Sequence, residues 1–346
     1  MGQIFHFGLL AEGFFLLLVK TTSNLALEFV DNQFLSSLTN NVLNSIFSDT
    51  VDCLEDWEKN LQNLGDAFLD TSARSKCARA RFTIGLLALH NFQFDLAIEM
   101  FEKAEEDEKV ETGRSFPMAM WGAAMATTQI LWQTSDCEKG RKYLERIEKN
   151  RDWVTEKENA YIETGFALYP NHIIPCEQDE QYEREKRIME AMKKVTLKYP
   201  DEDEAKLFYA VQNAAVAAQS KKTSHKKDEM EKPIDLLKDL EQKHPSHPGV
   251  LHYITHVFDA PEYYYQGNKL FVHKMIEPIK QQNHAASMGK RAANKYLKVA
   301  TSSCHGLHMP SHIFMRFGNW KMSRKANLLS IKVKLVILQP IFHFFQ

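Results

Sequence analysis

The chain has 346 residues, 44% hydrophobic and 25% charged, which excludes a disordered polymer and leaves room for one large domain or two ordinary ones. A formal net charge of −2 gives no global basis for binding nucleic acid or an anionic membrane. Only 14 Gly and 11 Pro punctuate the chain, too few for many short strands, so helices are favoured.

Residues 1–23 read either as a signal or hydrophobic N-terminal segment or as a buried helix. Ile4 to Val19 is largely apolar, but it is short for a membrane span and Glu12 interrupts it. Met1-Gly2-Gln3 lacks the basic side chains of a signal peptide, and the chain has no Asn-x-Ser/Thr acceptor. A cytoplasmic location is therefore preferred. Secretion or membrane anchoring through an N-terminal signal is the alternative, and a membrane is a partner only if residues 4–19 act as an anchor.

Residues 24–76 read as an N-terminal helical region without a clear repeat. A repeat pattern occupies residues 77–331. Within Phe82 to Glu108, Gly85, Ala97, Phe101 and Ala104 follow at steps of 12, 4 and 3. That spacing suits a helical hairpin of a roughly 34-residue repeat. Small residues let the two helices approach, while Phe94 and Phe101 fill the gap. Met118–Thr128, Gly140–Ile147, Glu158–Leu168, Tyr182–Tyr199, Glu204–Gln219 and Ile234–Lys243 read as further helices, with Pro200 and Pro245 as terminators. Ser220 to Glu231 reads as a solvated loop between helices rather than a nucleic-acid patch. The five cysteines (Cys53, Cys77, Cys137, Cys176 and Cys304) are odd in number and form no CxxC pair, so separate reduced thiols are expected.

From about Ala80 to Ile331 the chain resembles a group of tetratricopeptide-repeat-domain proteins best known from bacterial genomes. The stretches that carry the resemblance are GLLALHNFQFDLAIEMFEKAEEDE, FPMAMWGAAMA, KENAYIETGFALY, HPGVLHYITHVFDAP and HGLHMPSHIFMRFGNW. The resemblance implies an all-α fold, a right-handed solenoid of helical hairpins with a concave groove. Two features depart from it. His252 and His308 look like equivalent repeat positions but lie 56 residues apart, which suggests an insertion at residues 267–288. The tail, residues 332–346, is apolar and unlike a polar capping helix.

Two helices each carry an i, i+4 histidine pair: His252 with His256, and His308 with His312. With Asp259 and His305, they fall on the repeat positions that share one helical face. By the resemblance, that face lines the groove. His252, His256, His308 and His312 are the candidate metal ligands, with Asp259 near, for a divalent zinc, copper or iron ion. The HYITH stretch lacks the glutamate of HExxH, so the zincin protease class is unsupported. Ser311 lacks a GxSxG elbow. His90 and Trp132 have no assignable partner and default to packing. The preferred function is a non-enzymatic scaffold that binds a protein or peptide in its groove. A metal-dependent enzyme or metal-binding protein is the alternative.

Overall fold

A computed structural model describes residues 53–54, 63–67, 69–130, 134–151, 153–170, 174–219, 223–259 and 277–343, with backbone alone at 223–232, 277–287 and 335–343. Contacts divide the chain into Met1–Asn40 and Asn41–Gln346, and every described residue belongs to the second unit. The apolar N-terminal segment, Trp132 and residues 267–276 lie outside the described residues.

The described chain is all-α apart from one two-residue ladder, Thr128–Gln129 against Thr134–Ser135. Helix α1 (Lys76–His90) starts at Ser75, whose hydroxyl accepts the Ala78 N–H. A short turn leads to α2 (Phe94–Thr112), which ends on Gly113 at φ 72°. The two helices touch at the positions the spacing singled out. A Cβ on Gly85 would lie 2.8 Å from the Phe101 ring, and Ala97, Phe101 and Ala104 are fully buried. Helix α3 (Pro117–Ala126) closes on the same ring, since a Cβ on Gly122 would lie 2.6 Å from it. Glycine is required at both sites by close approach, not by backbone conformation.

Helix α4 (Cys137–Glu148) is capped by Asp136, and α5 (Glu156–Leu168) begins with a reciprocal Thr155–Glu158 capping box. Then come α6 (Gln181–Lys198), α7 (Asp203–Gln219), α8 (Thr223–Lys243), α9 (Pro248–Asp259), α10 (Glu277–Val299), α11 (Cys304–His308), α12 (Pro310–Arg316) and α13 (Trp320–His343). Neighbours in sequence pack against one another along much of this series, and α3 also touches α5. The contact of α1 with α9 departs from that local order. It brings together residues more than 160 positions apart.

Three expectations are corrected. Residues 223–231 are helical, not a loop. Their Lys, Glu and Met are helix formers, and the helix runs on through Pro233. Residues 65–67 and 69–75 form no helix. The cysteines are not separate thiols: Cys53 pairs with Cys77 and Cys137 with Cys176, at Cα separations of 5.9 and 5.8 Å, leaving Cys304 unbridged. Their sequence separations of 24 and 39 match no short motif, so folding alone brings them together. Residues 277–288, inside the suspected insertion, form the start of α10, which packs on α9.

Candidate metal centre

The α1–α9 contact builds the site. Helix α9 presents its apolar residues Val250, Leu251, Tyr253, Ile254 and Val257 to the core, and this fixes the rotation of His252 and His256. Helix α11 starts at Ser303, whose hydroxyl accepts the Gly306 N–H, so His305 stands in its first turn. Pro310 opens α12 and places His312 one turn beyond His308.

His252 is fully buried, and its Nδ1–H donates to the backbone carbonyl of His90 at 2.7 Å. A carbonyl only accepts, so the proton of the neutral ring sits on Nδ1 and Nε2 carries a lone pair. That Nε2 lies 3.0 Å from His256 Nε2 and 3.2 Å from His305 Nε2. The three donor atoms lie within 4.8 Å of one another. Burial brings His252 down to about 3. Burial, and then the neighbouring histidines, hold His256 and His305 well below the usual imidazole value. All three rings are therefore neutral near pH 7. One lone pair on His252 can accept one N–H, yet two nitrogens converge on it. A tetrahedral zinc ion with Zn–N bonds of about 2.0–2.1 Å separates its nitrogens by about 3.3 Å, close to the spacing seen here.

His308 and His312 stand beside this trio. The His305 and His308 ring centroids are 6.5 Å apart, and both His308 and His312 act on the basicity of His256. His312 Nδ1–H donates to Asp259 Oδ2 at 3.0 Å, and Asp259 Oδ1 accepts from Arg316 at 2.6 Å. His308 Nδ1–H donates to Asn327 Oδ1 at 2.7 Å. The two Nε2 atoms face each other at 3.0 Å. Phe92 walls the trio, with its ring centroid 4.4 Å from that of His252, 5.6 Å from His256 and 5.8 Å from His305.

The five histidines thus divide three and two. His252 and His256 join His305, while His308 and His312 form a second pair. Asp259 holds a ring in place by its Nδ1–H instead of facing the trio.

A second buried cluster is chemically different. Glu204 accepts from His247 Nε2–H at 2.7 Å and from His90 Nε2–H at 3.0 Å. His247 Nδ1 accepts the Gly249 N–H at 3.1 Å, and His90 Nδ1 meets the Tyr253 hydroxyl at 2.9 Å. Burial alone would raise Glu204, but His247 and His90 outweigh it and hold the carboxyl far down. Here each donor meets an acceptor, so the cluster is satisfied by hydrogen bonds alone. The expectation that His90 merely packs is corrected: its ring joins this network and its carbonyl orients His252. Glu204, His247 and Asn327 also escaped the sequence reading, since nothing in their local sequence marks them.

A separate open cavity of about 510 Å³ lies between α5 and α6, lined by Glu156, Glu163, Phe166, Lys194 and Lys198 among others, and includes none of the histidines. No helix among the described residues is long and apolar enough to cross a membrane. No protein-family profile, curated protein or solved structure matches the chain.

Proposed function

We propose that this chain is a metal-binding protein whose three-histidine centre, His252, His256 and His305, holds a divalent transition ion on a tetratricopeptide-like helical array. The observation that carries this is the convergence of His256 and His305 Nε2 on the single lone pair of His252 Nε2, at 3.0 and 3.2 Å. Three neutral imidazoles with nitrogens gathered within 4.8 Å of one another offer the lone pairs that a single cation collects. The all-nitrogen donor set suits zinc, copper or iron over magnesium or calcium. The His90 carbonyl supplies the backing hydrogen bond that metal-bound histidines use to fix tautomer and orientation. Support for the array comes from Gly85, Gly122 and Phe101 at helix contacts and from the packing of successive helices. The α1–α9 contact goes beyond the nearest-neighbour contacts of a simple solenoid.

The test is metal analysis of the purified chain after loading with Zn²⁺ and desalting. Retention of tightly held zinc that is lost in His256→Ala and His305→Ala supports the reading. A wild-type chain that keeps no zinc, copper or iron overturns it and returns the peptide-binding scaffold to first place.

The two disulfides favour the alternative location. Bridges of this kind persist in oxidising compartments and are rare in the cytosol. We therefore prefer an exported or lumenal setting to the cytoplasm. Detection of the chain in a reducing compartment with all five thiols free would reverse that preference.

A further inference from the structure

We infer that His308 and His312 hold a second divalent transition ion beside the first, making a two-ion centre whose outer ion keeps coordination positions open to solvent. This inference rests on the metal reading of the three-histidine centre, and its test separates the two.

The argument starts from protons. Asn327 Nδ2–H donates to the Ser323 carbonyl at 3.2 Å, which fixes the side-chain amide so that Oδ1 points at His308. Oδ1 is an acceptor, so the His308 proton sits on Nδ1. Asp259 fixes His312 in the same way, since a carboxylate accepts from Nδ1–H. Both proton positions are set by groups outside the pair. Each Nε2 therefore carries a lone pair, and the two lone pairs face each other at 3.0 Å.

Two acceptors at that distance need a cation between them. The candidates are a metal ion or an extra proton on one ring. One feature favours the metal. Asp259, the carboxylate that would stabilise a charged His312, already carries Arg316 on Oδ1 and on its backbone carbonyl.

Position tells the two ions apart. The trio is built around fully buried His252 and walled by Phe92. The His312 side chain is 36% exposed and reaches solvent. With two protein nitrogens fixed, the outer ion has room for water or for the oxygen of a small substrate, the arrangement that distinguishes reactive from purely structural sites. The chemical class of ligand is an oxygen donor such as hydroxide, carboxylate or phosphate.

Zinc content decides the matter. The wild-type chain should retain two Zn²⁺ per chain, and the His308→Ala/His312→Ala double variant one. One ion in both overturns the second site and leaves the first, the pair then being bridged by a proton. None in the wild type overturns both. If circular dichroism shows the double variant unfolded, the Cu²⁺-loaded wild type decides instead. A half-field paramagnetic resonance line from two coupled ions supports the two-ion centre, and the spectrum of an isolated ion overturns it.

Discussion

The backbone carbonyl of His90 accepts the Nδ1–H of His252 at 2.7 Å, across 162 residues of chain. That bond ties the end of the first described helix to the ring of the ninth on which His256 and His305 converge, and the cluster depends on both.

Removing the support behind a ligand should weaken metal binding without removing a ligand. Asn327→Leu takes the acceptor from His308 Nδ1–H. Losses of about 10–100-fold in affinity are typical for such backing groups. Calorimetric titration with Zn²⁺ should show the loss in the outer ion alone, while the inner ion keeps its affinity.

Stability of the metal-free chain should fall as the solution is acidified below about pH 6.5. His252 is held near 3 by burial, so between those values the unfolded chain binds a proton that the folded chain refuses. Stability from this group is present above the unfolded value and is lost as pH falls toward the folded one. From pH 6.5 to 5 the loss is about 2 kcal/mol. Urea midpoints at the two pH values check it, and bound zinc should leave over the same interval.

Glu204→Ala should be among the most damaging single changes. It strips the shared acceptor from His90 and His247, both buried. Removing one partner from a buried charged network costs about 3–5 kcal/mol. The thermal midpoint should drop sharply, with Glu204→Gln less severe because its amide oxygen still accepts.

Gly85→Leu and Gly122→Leu should each destabilise, because the added carbons meet the Phe101 ring at distances no real side chain tolerates. Overpacking of this kind costs about 1–3 kcal/mol. Unchanged thermal midpoints would show that neither glycine lies at a helix contact.

A thiol assay on the unfolded, unreduced chain should find one reactive group, Cys304, and five after reduction. Opening the Cys137–Cys176 bridge, which closes a 39-residue separation, should cost about 2–4 kcal/mol.

The helices were largely legible because their signals are local. Gly85, Ala97 and Phe101 announce a close helix pair within 17 residues. The histidine pairs were legible for the same reason, since i, i+4 spacing fixes a shared face. Their grouping was not. His305 joins His252 and His256 because the fold brings its ring, from the first turn of α11, to within 3.2 Å of His252, and no spacing along the chain encodes that choice. His90 was illegible altogether, because what it offers His252 is a peptide oxygen that every residue possesses. The disulfides failed for a related reason: Cys53–Cys77 and Cys137–Cys176 are joined by tertiary structure, not by motif.

Phe92 stands just after that peptide oxygen, in the turn between α1 and α2, and is the one described non-glycine residue with positive φ, at 55°. A bulky residue in this conformation marks a turn held in place by its surroundings. Because the acceptor is main chain, no side-chain replacement at position 90 can delete it. What can delete it is a change in the length of the turn, since one residue added or removed would re-aim the carbonyl. The two kinds of change should therefore fail differently: a replacement at position 90 disturbs the Glu204 network that its ring joins but leaves the carbonyl, while an insertion between 90 and 94 takes the carbonyl itself away from His252. A deep insertion and substitution scan scored by metal retention would show that asymmetry as a single narrow gap in the permitted indels.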